Sequence, residues 1–240
     1  MITKKTDDFS GIDFKNGEVI LIDKPHGWTS FKVVHIIRKI TGAKKVGHAG
    51  TLDPQATGLL ILCTGKKTKE ITKFQNSEKT YAGIITLGKK TPSMDLETEI
   101  IEEKPVKGIE KADIEKIRDL FLGEILQIPP MYSALKVGGK TLYNLARKGK
   151  TVKREPRKVY VSKFQLKKIE LPEIYFEITC SKGTYIRVIA NDFGEKLGTG
   201  GVLSSLRRTK IGEFEVKDAL SVESFEQKIE ENKGKPYSLA

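Results

Sequence analysis

At 240 residues the chain is long enough for one large domain, or for a large and a small one, around a substantial core, which excludes a disulfide-dependent miniprotein. Hydrophobic residues make up 38% and charged residues 31%, in mixed blocks that suit a soluble globular enzyme and not a disordered segment. Lys and Arg outnumber Asp and Glu by 43 to 31, a formal charge of +12 with a pI near 9.5, so the molecule attracts polyanions and nucleic acid leads among expected partners.

The chain begins with a polar arm, residues 1–17, that lacks an apolar stretch of signal-peptide length. No run approaches the roughly 18 residues of a membrane span, so a cytoplasmic protein is expected. EVILID (18–23) reads as a strand and Lys24-Pro25-His26-Gly27 as the turn out of it. A helix follows, capped by Thr29 or Ser30, with Val33, Val34, Ile36, Ile37 and Ile40 at helical spacing until Gly42. A loop of Gly, Thr and Pro from Gly47 to Gly58 leads into LLILCTG, a buried strand. KKTKEITKFQ is predicted helical, KTYAGIITLG a strand, and residues 95–103 a further strand.

DIEKIRDLFLG spaces Ile114, Ile117, Leu120 and Phe121 as an amphipathic helix ended by Gly123, before a strand and a Pro-Pro turn. Residues 131–158 are rich in Gly, Lys and Arg with Tyr132 and Tyr143 interleaved, a mobile surface insertion suited to RNA contact. VYVSKFQLKKI and EIYFEITCS read as antiparallel neighbours, TYIRVIANDFGEKLG as a helix, GVLSSLRRTKIGEF as a strand and VESFEQKIEE as a last helix. Strands in twos and threes between helices give an α+β fold, a mixed and mostly antiparallel central sheet with flanking helices.

Cys63 and Cys180, each in a strand-like run, read as buried free thiols, and no zinc spacing exists. Gly58 and Gly65-Lys66-Lys67-Thr68 lack the spacing of a phosphate loop. Ser or Cys nucleophile chemistry needs a histidine base, yet only His26, His35 and His48 are present, and His35 falls inside the first helix. GHAGTLDPQATGLL places Asp53 in a loop of small residues between Lys44-Lys45 and a buried strand, which permits reactivity. An Asp before Pro is also a common turn starter, so the loop alone leaves Asp53 structural.

The segments LIDKPHGWTS, GHAGTLDPQATGLLIL, KTYAGIITLGKKTPSMD, PPMYSALKVGGKTLYNLARKG, GTYIRVIANDFGEKLG and LRRTKIGEF resemble, in order and spacing from about Glu18 to about Phe214, the TruB family of tRNA pseudouridine synthases. The resemblance implies the pseudouridine synthase fold over 18–214, the insertion 131–158 included, and makes Asp53 the essential aspartate. Tyr81 becomes the aromatic that stacks on the target uracil and helps remove its C5 proton. Tyr185 becomes a base-pocket contact, Arg187 the cation that pairs with the aspartate, and Leu206 the pocket-lining leucine. His48 corresponds to a histidine that meets the RNA loop, and Lys24 and Pro25 to a segment supporting the active-site loop. Read bottom-up, each of Tyr81, Tyr185 and Leu206 is equally an ordinary core residue, Arg187 a solvated helix residue and His48 a loop hydrogen-bonder.

The implied reaction breaks the N1 glycosidic bond of a uridine and rejoins the base through C5, a redox-neutral isomerisation that asks for no cofactor and no metal. Asp53 attacks uracil C6 or sugar C1′, or removes a ribose proton; these routes stay open, and each needs the nucleotide out of its stack. The implied substrate is the T-loop uridine at position 55 in the T-arm of tRNA, handled by a monomer without guide RNA. A synthase for another RNA uridine and a non-catalytic tRNA chaperone are the alternatives. The 215–240 segment is short, and the small RNA-binding domain of the PUA type that ends many bacterial members is expected to be absent.

Overall fold

The computed structural model describes residues 1–232; residues 233–240 of the expected C-terminal segment lie outside the described residues. The chain divides into two compact units, one formed by Met1–Tyr81 with the chain from Arg207 onward, the other by Ala82–Leu206.

In the first unit, β1 (Val19–Lys24) is buried at every position but Asp23. Gly27 (φ 76°) turns the chain toward α1 (Ser30–Thr41). Thr29 is the cap, accepting from the Lys32 N–H at 3.0 Å, and left-handed Gly42 (φ 64°) closes the helix onto the Arg38 carbonyl. Val33, Val34 and Ile37 bury while His35 stays exposed. β2 (Val46–His48) and the apolar β3 (Thr57–Thr64) pair antiparallel, and β3 pairs along all of β1 from Val19↔Cys63 to Lys24↔Gly58. A 3₁₀ turn at Gly65–Glu70 leads into α2 (Ile71–Asn76), and β4 (Lys79–Leu87) starts in this unit and ends in the second.

The second unit adds the short pair β5 (Lys89–Lys90) and β6 (Glu102–Glu103), then α3 (Lys111–Asp119) and β7 (Gly123–Gln127). β8 (Lys136–Val137), β9 (Lys140–Thr141) and α4 (Leu142–Ala146) lie in the insertion. β10 (Arg157–Glu170), β11 (Glu173–Cys180), α5 (Ile186–Lys196) and the first half of β12 (Gly201–Ile211) complete the unit. Its strands run in the order β12, β4, β11, β10, β7. Phe164 packs edge-on against Phe121 and Phe176 and tilted against Phe193.

The chain returns to the first unit in the second half of β12, where Arg207↔Thr57 and Arg208↔Gly58 pair parallel to β3, and then forms β13 (Phe214–Glu215) and α6 (Val222–Asn232). That parallel pairing makes the sheet mixed; the other registered pairs are antiparallel. The α+β expectation therefore holds. The segment 1–17 is not a loose arm: Ile2 bridges Ile20, and Phe9 and Phe14 meet Phe225 of α6 edge-on within the core.

Two local expectations need correction. The helix predicted to run to Gly123 stops at Asp119: the Leu120 N–H turns to Ile117 O at 3.1 Å, its side chain is exposed, and only Phe121 of that pair buries. Gly123, with φ 81°, opens β7 instead of ending the helix. The strand expected over 95–103 shrinks to Glu102–Glu103, because residues 93–98 fold into a turn around buried Ser93 and Asp95, in which the Ser93 and Thr98 hydroxyls lie 2.8 Å apart. The insertion carries a hairpin and a helix anchored by buried Leu142, with most of its basic side chains exposed.

Candidate active site

Residues 49–56 form an irregular loop between β2 and β3, so its backbone groups need partners outside the sheet ladder. Three side chains of the first unit supply them. Lys24, at the end of β1, is fully buried, and its Nζ donates to the carbonyls of Pro25 at 2.9 Å, Trp28 at 2.6 Å and Pro54 at 3.4 Å. Since Thr29 caps α1, the Ser30 hydroxyl donates to Leu52 O at 3.1 Å and accepts from Leu52 N–H at 2.9 Å. Arg208, 1% exposed, donates through Nε to Leu59 O at 2.7 Å and through Nη2 to Gly50 O at 3.1 Å.

Gly27 N–H donates to Pro54 O at 2.9 Å, and Ala56 N–H closes a turn on Asp53 O at 3.0 Å. Asp53 is thus half-buried on a loop gripped on both sides of it. Gly58, where the loop meets β3, has φ 107°, and a Cβ there would sit 2.3 Å from Arg208 O; only glycine admits this approach.

Burial pulls the Lys24 ammonium from its ordinary 10.5 down to about 8; the Asp53 charge opposes this, the Arg208 charge adds to it, and Asp23 opposes weakly. Of Lys24 and Pro25, which the resemblance gives as supports of this loop, Lys24 reaches it at Pro54 O, and Pro25 O accepts from Lys24. His48, on β2, is held below its ordinary 6.5 by burial, against hydrogen bonding with the Gly50 backbone and with help from the Arg208 charge. Burial thus favours its neutral form, and its Nδ1 is buried without a hydrogen-bond partner among the described residues. Tyr81 is buried on β4, next to Thr80, whose carbonyl accepts from Thr209 of β12 at 3.2 Å. Cys63 is inert, its thiol pushed up to about 12 mainly by burial.

The second unit holds Tyr185, Arg187 and Leu206. Tyr185 is the residue before α5, and Gln127 grips its backbone twice: Tyr185 N–H donates to Gln127 Oε1 at 3.0 Å, and Gln127 Nε2 to Tyr185 O at 3.1 Å. The guanidinium carbons of Arg157 and Arg187 stand 4.8 Å and 5.6 Å from the centre of the Tyr185 ring. Arg187, in the first turn of α5, is 2% exposed and meets the Asp95 carboxylate at 3.3 Å. Asp95 belongs to the turn at 93–98: its carbonyl accepts from the Thr91 and Ser93 hydroxyls at 2.6 Å and 3.2 Å, and its Oδ1 accepts from Glu97 N–H at 3.0 Å. Leu206, on β12, is half-buried.

Ser30, Arg208, Asp95 and Gln127 were not singled out from the sequence. Arg208 and Asp95 lie within segments quoted for the resemblance, LRRTKIGEF and KTPSMD, and Ser30 was noticed only as an alternative cap; Gln127 carried no signal. No group of three or more His, Cys, Asp or Glu among the described residues could hold a metal ion. No helix among them is long and apolar enough to cross a membrane.

The family model described as TruB family pseudouridylate synthase, N terminal domain, matches residues 38–186, and the tRNA pseudouridylate synthase B C-terminal domain matches 187–238. Curated relatives named tRNA pseudouridine synthase B include one from Phocaeicola vulgatus, 48% identical over 92% of this chain and 98% of its own. Another, from Chloroherpeton thalassium, is 51% identical over 89% and 91%. Among solved structures, a chain of a Cbf5-Nop10-Gar1 complex superposes with TM-score 0.70 at 26% identity; the match covers 95% of this chain but 58% of that one, so this chain spans little more than half its length. With both family models in tandem over residues 38–238 and relatives near half identity, the chain belongs to the TruB family of pseudouridylate synthases.

Proposed function

We propose that this chain converts the T-loop uridine at position 55 of tRNA to pseudouridine, with Asp53 as the catalytic carboxylate acting on a flipped-out nucleotide. The observation that carries the proposal is the loop of Asp53: irregular backbone gripped by Lys24, Ser30 and Arg208, which holds one half-buried carboxylate in a fixed place. A carboxylate with an ordinary pKa of about 3.9 is ionised at neutral pH and needs placement more than activation. Neutral His48, beside Gly50, suits a hydrogen bond to an RNA loop without adding charge.

Tyr81 is the stacking platform, compensating for stacking lost on extrusion at about 1–3 kcal/mol per base. Tyr185 and Leu206 keep the base-pocket roles, and Arg187 the role of cation to the aspartate, that the family resemblance gives them. The relatives named tRNA pseudouridine synthase B are 46–51% identical, against 26% for the chain of the Cbf5-Nop10-Gar1 complex, which favours a tRNA substrate handled by a single chain without guide RNA.

Incubation with unmodified tRNA, followed by chemical mapping of pseudouridine, should give one product in the T-loop. Asp53→Asn should bind tRNA within a few-fold of the parent and form none; product at another uridine, or normal product from Asp53→Asn, refutes the site or the residue respectively.

A further inference from the structure

Gln127 and Arg157 are cross-strand partners at the last rung of the β7–β10 pair, and they bracket the basic insertion: Gln127 lies just before it and Arg157 is its next-to-last residue. Directly paired residues of an antiparallel ladder project to the same face. Here both side chains reach one short segment. Gln127, 1% exposed, makes the reciprocal pair of hydrogen bonds with the Tyr185 backbone. Arg157 donates to the Gly183 carbonyl and lays its guanidinium over the Tyr185 ring.

Gly183 adopts φ 81°, a conformation that favours glycine, and Arg157 lies against it: a Cβ there would stand in ordinary contact, 3.4 Å, with Arg157 Nη2. Between the two roots, the insertion carries Lys136, Lys140, Arg147, Lys148, Lys150, Lys153 and Arg154 against one acidic residue, Glu155.

We propose that Gln127 and Arg157 are positioning residues that clamp both roots of the basic insertion onto Tyr185, so that seating of RNA on the insertion and orientation of the base-pocket tyrosine are one event. This rests on the reading of Tyr185 as a contact to the target base. Gln127 fixes the backbone from which the ring projects, and the flat face of Arg157 fixes the plane of the ring. A ring displaced by about 1 Å costs on the order of a hundredfold in rate while leaving the phosphate contacts of the insertion in place.

The test is a double-mutant cycle on full-length protein with unmodified tRNA, reading single-turnover rate and tRNA Kd separately for Gln127→Met, Arg157→Ala, Arg157→Lys, Tyr185→Ala and the doubles with Tyr185→Ala. The expected result is a rate at least about tenfold lower for Gln127→Met and Arg157→Ala with Kd changed less than about threefold. Arg157→Lys should stay slow because it keeps the charge but not the planar face, and neither substitution should add further loss in the Tyr185→Ala background.

If Arg157→Ala weakens Kd at unchanged rate and Arg157→Lys restores it, Arg157 is a phosphate contact and the clamp is refuted. Losses that add fully to that of Tyr185→Ala refute it as well. Should Gln127→Met fail to fold, the partly exposed Arg157 still decides the matter through its two variants. A Tyr185→Ala protein at parental rate removes the base-pocket reading itself, whereas a slow Tyr185→Ala protein beside normal Gln127 and Arg157 variants removes only the clamp.

Discussion

Replacing Lys24 by Met deletes a buried ammonium that grips three backbone carbonyls and leaves a side chain of similar length. Two of the bonds, at 2.9 Å and 2.6 Å, are strong, and each charged hydrogen bond is worth about 1.5–3 kcal/mol; the third, at 3.4 Å, adds little. Against this loss stands the burial cost that takes Lys24 down to about 8, on the order of 2 kcal/mol once screening is discounted. The net expectation for Lys24→Met is a loss of about 1–4 kcal/mol in urea unfolding, and a lower single-turnover rate because the positive charge that acts on the Asp53 carboxylate is lost.

The pH dependence separates the two effects. Below pH 8 folded and unfolded chains both carry the Lys24 charge; between 8 and 10.5 the folded amine is neutral while the unfolded one keeps its proton, so the Lys24 contribution to stability rises with pH across that window. The neutral amine has one N–H fewer for its carbonyls, so turnover should fall as pH passes 8. Lys24→Met should lose both the rise in stability and the fall in rate. A variant with parental stability, parental rate and an unchanged pH profile would show that the loop is held without Lys24.

Gly58→Ala combines φ 107° with a Cβ 2.3 Å from Arg208 O, and should destabilise the fold by about 3 kcal/mol or more, read as a shift of the urea midpoint. Ser30→Ala removes both bonds to Leu52 at a buried position and should cost about 1–3 kcal/mol in the same assay, with α1 keeping its helicity because Thr29 is the cap. Tyr81→Phe keeps the stacking face; if the hydroxyl takes part in C5 proton removal it should bind tRNA normally and turn over slowly, and an unchanged single-turnover rate would leave Tyr81 with stacking alone.

The elements were legible because their signals are local. The start of α1, its apolar stripe and its closing glycine sit within fourteen residues, and β11 buries every second residue along its whole length, while β10 breaks the alternation at its two register shifts. What stayed hidden depends on distance along the chain. Arg208 and Gly50 are 158 residues apart, and Gln127 and Tyr185 are 58 apart. No period or cap relates them. Choosing Thr29 over Ser30 as the cap needed Leu52, which no helix rule contains. The end of α3 is hidden for the opposite reason: Leu120 continues the apolar period, yet its side chain faces solvent, so the period outlasts the helix.

The charge of the chain also divides in a way its composition could not show. A formal +12 reads as attraction for RNA, but Lys24 and Arg208, which bond the backbone of the Asp53 loop, are fully or almost fully buried and donate to backbone carbonyls. They stand in for the hydrogen-bond ladder that residues 49–56 lack, and their variants should change rate and stability before they change the salt dependence of tRNA binding. The salt dependence should belong instead to exposed charges such as Lys136, Lys140, Arg147, Lys148 and Lys150 of the insertion. Neutralising those five should flatten the fall of tRNA affinity with added salt while changing the unfolding free energy by no more than about 0.5 kcal/mol per substitution. An unchanged salt slope would place the RNA contacts elsewhere on the surface.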